Sequence, residues 1–134
     1  MNNEQITKPV SIPECQEALL KTGIPPVTAL VDYMHQLLEW NEKINVTGAK
    51  TADEFALKHI ADVWSALQVL ESLPGHVVDV GSGGGLPGIA LAIMVPDLAV
   101  TLVERRQKKA SVLSSMVSHL GLEKRVKVVA RSFE

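Results

Sequence analysis

Hydrophobic positions recur along the chain at two different spacings, and the change between them falls near residue 75. Before that point the spacing is helical. Residues 1–10 are polar and are expected to be mobile. Ser11 can cap a helix with Pro13 in its first turn, running through Ala18, Leu19 and Leu20 to a stop at Gly23. Pro25-Pro26 then forces a break. Leu30, Met34, Leu37 and Leu38 fall on one face of a longer helix predicted over 27–41, with Asp32, Gln36 and Glu39 pointing elsewhere. Asn41, Asn45 and Thr47 are side chains that bond nearby backbone, which marks 40–48 as an ordered loop. Thr51 followed by Glu54 is a capping box, and Leu57, Ile60, Ala61, Trp64 and Leu67 repeat at helical spacing until Pro74-Gly75.

From Val77 the pattern becomes strand, helix, strand, helix, strand. Short β-branched runs predict strands over 77–80, 99–103 and 126–129. Helices are predicted over 88–94 and 107–120, the second with Ala110, Val112, Leu113, Met116, Val117 and Leu120 mostly inward and Gly121 as its stop. Such a βαβαβ series requires right-handed crossovers and a parallel sheet, here in the order 3-2-1. The fold class is therefore α/β. A helical segment over 1–74 leads into the first half of a Rossmann-like sheet over 75–134, as one structural unit. The apolar run at 77–80 predicts a buried strand. A doubly wound sheet places further strands on the other side of that strand, and none follows in this sequence. The 77–80 strand is thus expected as an apolar edge open to self-association, and the chain reads as the front portion of a larger domain.

The junction at 77–88 carries the chemistry. An apolar strand ends at Asp79-Val80 and enters a loop with glycine at positions 81, 83, 84, 85 and 88. Glycine permits positive φ and keeps side chains out of the space between backbone and ligand. Pro87 suits the first turn of a helix, where the missing N–H costs nothing. Two frames fit. Gly83-x-Gly85-x-x-Gly88 matches the dinucleotide fingerprint, with Glu104 near the distance of a ribose carboxylate, and points to an NAD-type oxidoreductase. Asp79-x-Gly81-x-Gly83-x-Gly85, with Glu104 ending the next strand, resembles a class I S-adenosyl-L-methionine-dependent methyltransferase. The second frame also explains Asp79, since a carboxylate suits a cationic sulfonium ligand, directly or through water.

A longer set of residues resembles one bacterial family. Trp40-Asn41 with Asn45-Val46-Thr47, then Lys58-His59-Ile60-x-Asp62, then Asp79-Val80-Gly81-Ser82-Gly83-Gly84-Gly85-Leu86-Pro87-Gly88-Ile89 look like successive signatures of the glucose-inhibited division protein B family. Its members methylate guanine N7 in 16S ribosomal RNA. The resemblance covers roughly 25–134 and implies S-adenosyl-L-methionine as cofactor and 16S rRNA, or a small-subunit precursor, as partner. It implies that Asp79, Gly81, Gly83, Gly85 and Leu86 line the cofactor site, that Glu104 takes the ribose, and that Ser132 and Phe133 stand where the family contacts adenine. The family often has an alanine- or valine-glutamate pair at those last two positions, and Ala90 replaces a frequent proline. The family's arginine after a fourth strand has no counterpart here. Guanine N7 has a free lone pair and no proton to lose, so the implied transfer needs no general base and no catalytic residue is named.

Charge and composition narrow the partners. Residues 1–104 carry 5 Lys+Arg against 13 Asp+Glu, whereas 105–134 carry 8 against 2. A basic end on an otherwise acidic chain permits a local anionic partner, and Lys58, Arg105 and Arg106 are the candidate RNA contacts, with Lys108 and Lys109 beside them. Aromatic residues, at 4%, are too scarce for stacking to dominate. No apolar run approaches the roughly 20 residues of a membrane helix, and 1–5 lack a signal-peptide pattern. The one cysteine, Cys15, reads as a small apolar helix residue, and a cytoplasmic location follows as the default. His35, His59, His76 and His119 lack metal-ligand spacing, and His59 with Asp62 reads as a surface pair without a nucleophile. A chain that binds cofactor or RNA without catalysis is the non-enzymatic alternative.

Overall fold

The computed structural model describes residues 10–44, 47, 49–69, 75–81 and 83–131. The first nine residues, Asn45, Val46, Pro74, Ser82, Ser132 and Phe133 lie outside that set. The element order is α1 (Ile12–Lys21), α2 (Thr28–Asn41), α3 (Ala52–Phe55), a π-helical turn (Ala56–Ile60), α4 (Ala61–Val69), β1 (His76–Val80), α5 (Gly88–Met94), β2 (Ala99–Glu104), α6 (Gln107–His119) and β3 (Val126–Ala130).

The helix starts follow their caps. Ser11 accepts from the Glu14 amide at 3.2 Å while Glu14 reaches back to the Ser11 amide, closing a full capping box on α1. Thr51 caps α3 by accepting from the Glu54 amide, but Glu54 turns to the Lys50 amide rather than that of Thr51, so the predicted box closes one residue early. Pro25 and Pro26 precede α2, whose stripe Leu30, Met34, Leu37 and Leu38 is buried as its spacing requires, joined by Val31 and Tyr33. Burial of each such side chain is worth about 1.5–3 kcal/mol.

The expected single helix after Thr51 is interrupted, and Leu57 is not inward. The π-helical turn holds more residues per turn than an α-helix and shifts the phase of the apolar face. Ala56, Ile60 and Val63 face the core, while Leu57 is left 65% exposed.

The three strands form a parallel sheet in the order β1-β2-β3. Side chains alternate between its faces. Val77 and Asp79, then Val100, Leu102 and Glu104, then Val126 and Val128 share the register of one face. Right-handed crossovers with strands added in one direction put both connecting helices on that same face. Accordingly α5 packs on β1 and β2, and α6 on β2 and β3. The expectation of a fully buried first strand is corrected for this reason: Val78 and Val80, on the other face, are 55% and 60% exposed. β1 is an edge strand among the described residues.

The N-terminal helices are part of the same core. α2 packs against both α5 and α6, and α1 closes over α2 and α3. Arg125 locks the far end of this layer, donating to the carbonyls of Ala92, Val95 and Leu98 around the end of α5. Cys15 is fully buried in the core, where burial and then the charge of Glu14 raise its thiol to about 11. No helix of the described residues is long and apolar enough to cross a membrane.

Candidate functional site

At the carboxyl ends of the strands, backbone geometry gathers the glycine loop and two carboxylates. The sheet ladder continues past β1 and β3 as the Gly81 amide donates to Val103 (2.8 Å) and the Arg131 amide to Glu104 (3.0 Å). All three strand ends therefore lie side by side at the edge where open α/β sheets bind ligands. Gly81, Gly83 and Gly85 adopt φ of +76°, +55° and +90°, the left-handed region that favours glycine. A Cβ on Gly81 meets nothing within 4 Å, so the restriction there is conformational, whereas one on Gly85 would come within 2.6 Å of Ile89.

Glu104 is nearly buried, and its two oxygens are held apart by separate donors. Oε1 accepts from the Gly83 amide at 3.0 Å and Oε2 from the Arg106 amide at 2.9 Å. The carboxylate that ends β2 is thus tied to the glycine loop that follows β1. Asp79 is also buried, and its Oδ2 accepts from the amide of Gly88 at the start of α5. Its carboxylate acts on the helix N-terminus, an arrangement favoured by the helix dipole. Gly88 must be small for a related reason: an added Cβ would collide with the Leu102 side chain and sit 2.9 Å from that same oxygen and 3.2 Å from Val100. Pro87, expected inside the first helical turn, occupies the position just before α5, after a cis Leu86–Pro87 peptide. Leu86 is half-buried against the core.

The loop has a further support that its sequence pattern does not mark. Tyr33, fully buried on α2, donates its hydroxyl to the carbonyl of Gly84 at 2.7 Å. Its ring meets Phe55 edge-on, with centroids 6.0 Å apart. Burial and then the charge of Asp79 hold its hydroxyl well above the usual phenol range, so it remains a proton donor. The available signal was that the chain's one tyrosine falls three residues after Leu30 and four before Leu37, on the apolar face.

The other candidates separate. Arg105 and Arg106 are exposed directly after Glu104, beside the strand ends. Lys58 stands on the π-helical turn and pairs with Glu54 at 3.3 Å. His59 lies against the Phe55 ring, 5.3 Å between centroids, and no hydrogen bond or ion pair joins it to Asp62 among the described residues. Asn41 orders its loop as expected: its side chain donates to the carbonyl of Ala49 and accepts from the amide of Thr47. No group of His, Cys, Asp and Glu suited to a metal ion occurs among the described residues.

Geometry alone suits either ligand frame, since the close approach of Gly88 to β2 is also what the third glycine of a dinucleotide fingerprint provides. Comparison with known proteins points to the methyltransferase family. The family model for rRNA small subunit methyltransferase G matches residues 27–134. The chain belongs to the rRNA small subunit methyltransferase G family. Proteins named ribosomal RNA small subunit methyltransferase G are similar to it from Paracoccus denitrificans (40% identical over 105 residues) and Sorangium cellulosum (47% over 98). A third, from Hydrogenovibrio crunogenus, is 41% identical over 105 residues. These alignments cover 78%, 72% and 78% of this chain and 54%, 41% and 47% of the relatives. The chain thus spans about half the length of the curated relatives it matches. The matched stretch contains the whole glycine loop and Glu104, so this member of the family carries those residues in the folded arrangement described above.

Proposed function

We propose that this protein takes part in methyl transfer from S-adenosyl-L-methionine to N7 of a guanine in 16S ribosomal RNA. The observation that carries this reading is the match of residues 27–134 to the rRNA small subunit methyltransferase G family, and the Glu104 carboxylate, fixed at the carboxyl end of β2 and tied to the glycine loop through Gly83, supplies the place for the cofactor. The donor chemistry fits the cofactor. Each Glu104 oxygen accepts one backbone N–H and retains acceptor capacity for a ribose hydroxyl. Gly81 and Gly83 leave backbone rather than side chain at the loop surface, and Gly85 lets the loop pack closely on Ile89 beneath it. Gly81, Gly83, Gly85 and Leu86 would border the amino-acid part of the cofactor. Asp79 would contribute through the helix start it holds and through its negative charge near the sulfonium. Ser132 and Phe133 would meet the adenine.

The bound cofactor supplies an electrophilic methyl group. The protein's part is to hold that group in line with a nucleophile, a proximity effect that needs no acid or base. Guanine N7 has a lone pair ready to attack and loses no proton, which agrees with a site built from backbone and two carboxylates already occupied by backbone donors. Arg105 and Arg106, exposed beside Glu104, and more remotely Lys58, would meet rRNA phosphate. The same reading carries a cytoplasmic location, with the small subunit or its precursor as substrate.

The test is transfer of labelled methyl to 16S rRNA from a strain lacking this modification, with the 134-residue chain as sole protein. Label at guanine N7 supports the full activity. S-adenosyl-L-methionine binding without label assigns the chain a binding role only, and NAD binding in its place would return the dinucleotide reading.

A further inference from the structure

A second concavity lies outside the glycine loop, between α6 and the end of α2. It encloses about 400 Å³ and is lined by Trp40, Ile44, Gln107, Lys108, Ser111, Val112 and Ser115. We infer that this groove seats an unpaired nucleotide of single-stranded RNA, its base against Trp40 and its phosphate at Lys108. The inference rests on the rRNA reading above and adds a contact that lies apart from the cofactor site.

Three features select this occupant. First, the chain has two tryptophans, and Trp40 is half-buried at the rim of an open groove. An indole is a large flat surface for a splayed-out base, and such stacking tolerates any base. Second, the opposite wall is a stripe of α6 with exposed Gln107, Ser111 and Ser115, short or flexible polar groups able to bond base edges. Third, among the described residues the one charged residue that lines the groove is a cation. Lys108 lines it, and Lys43 lies over the Trp40 ring, 5.2 Å from its centroid, from outside the lining. Arg105, Arg106 and Lys109 flank Lys108 in sequence, no acidic residue stands in the first turn of α6, and the exposed Glu39 and Glu42 beside Trp40 lie outside the lining. A phosphate gains from this on the α6 side, at Lys108.

Position connects the groove to the reaction. Gln107 is three residues beyond Glu104, within about 11 Å along the backbone. RNA anchored in the groove can therefore present a neighbouring nucleotide at the strand ends.

The test uses the full chain carrying Trp64→Phe, so that Trp40 is the one fluorophore of its kind, titrated with a short unstructured single-stranded RNA. Saturable quenching is expected. Ser115→Glu should weaken it roughly tenfold or more, because it fills the groove and opposes phosphate. Ala66→Glu, the same charge change at an exposed α4 position outside the lining, should leave it unaltered. Filter binding with the same two substitutions in the wild-type background makes the comparison without touching Trp64. RNA binding without Trp40 quenching, equal loss in both charge variants, or no binding at all overturns the inference. So does a concentration-dependent change in Trp40 emission without RNA, which would assign the groove to a second copy of the chain. Calorimetry of the unmodified chain with S-adenosyl-L-methionine separates the two readings, since its failure contradicts methyl transfer and leaves the groove to be judged by quenching.

Discussion

The hydroxyl of Tyr33 donates to the carbonyl of Gly84 across 51 residues of sequence, joining the N-terminal helices to the glycine loop through one buried hydrogen bond. The loop is thus shaped from outside the βαβ unit as well as from Glu104 within it. Tyr33→Phe removes the donor and leaves a buried carbonyl without it, which should destabilise the fold by about 1–3 kcal/mol. Because that carbonyl sits in the loop itself, affinity for S-adenosyl-L-methionine should also fall, about threefold to tenfold. Thermal melts and calorimetry at a temperature where both proteins are folded check the two effects. A shifted melt with unchanged affinity would make Tyr33 a core residue only.

Gly88 permits the approach of α5 to β2. Gly88→Ala places a methyl against the Asp79 carboxylate and Val100, and overpacking of this kind costs about 1–3 kcal/mol. Chemical denaturation should show the loss as a lower midpoint. An unchanged midpoint would mean that α5 can retreat from the sheet without penalty.

Alkaline pH should unfold the protein through two buried groups. Cys15 is raised to about 11 and Tyr33 well above the phenol range. In both cases the folded state keeps a proton that the unfolded chain releases, so their stabilising contribution is complete below the unfolded values. It declines from about pH 9 for Cys15 and about pH 10 for Tyr33. Cys15→Ala should flatten the decline between about pH 9 and 11 in a pH series of denaturation curves. Identical slopes for variant and parent would contradict this assignment.

The exposed valines of β1 predict self-association. Val78 and Val80 face outward on an edge strand, a template for pairing with another chain. Sedimentation velocity should show concentration-dependent association of this chain, and Val80→Lys should reduce it. A strictly monomeric parent at high concentration would exclude the edge as a contact.

The sequence carried the sheet more fully than the helices before it. Strands and helices from His76 onward match their predicted bounds within a residue or two, because β-branched runs, Gly121 and the glycine loop mark the ends chemically. The phase change at Leu57 was hidden because a π-helical turn has no hydrophobic period of its own. The half-exposure of β1 follows from where both crossover helices lie, a property of topology that an apolar run does not encode. Asp79, Gly81, Gly83, Gly85 and Glu104 were visible as a pattern, and the fold brings them together. What spacing could not supply was the pairing: Glu104 with Gly83, Asp79 with Gly88, and Tyr33 with Gly84 are contacts between elements.

The central claim is that the glycine loop and Glu104 form one cofactor site. Titration calorimetry of the 134-residue chain and of Glu104→Ala with S-adenosyl-L-methionine tests it most directly. The account predicts binding by the parent and a loss of tenfold or more in the variant, on the order of 1.4 kcal/mol or greater, with both proteins folded by circular dichroism. A folded parent that does not bind, or a variant that binds equally well, would contradict it.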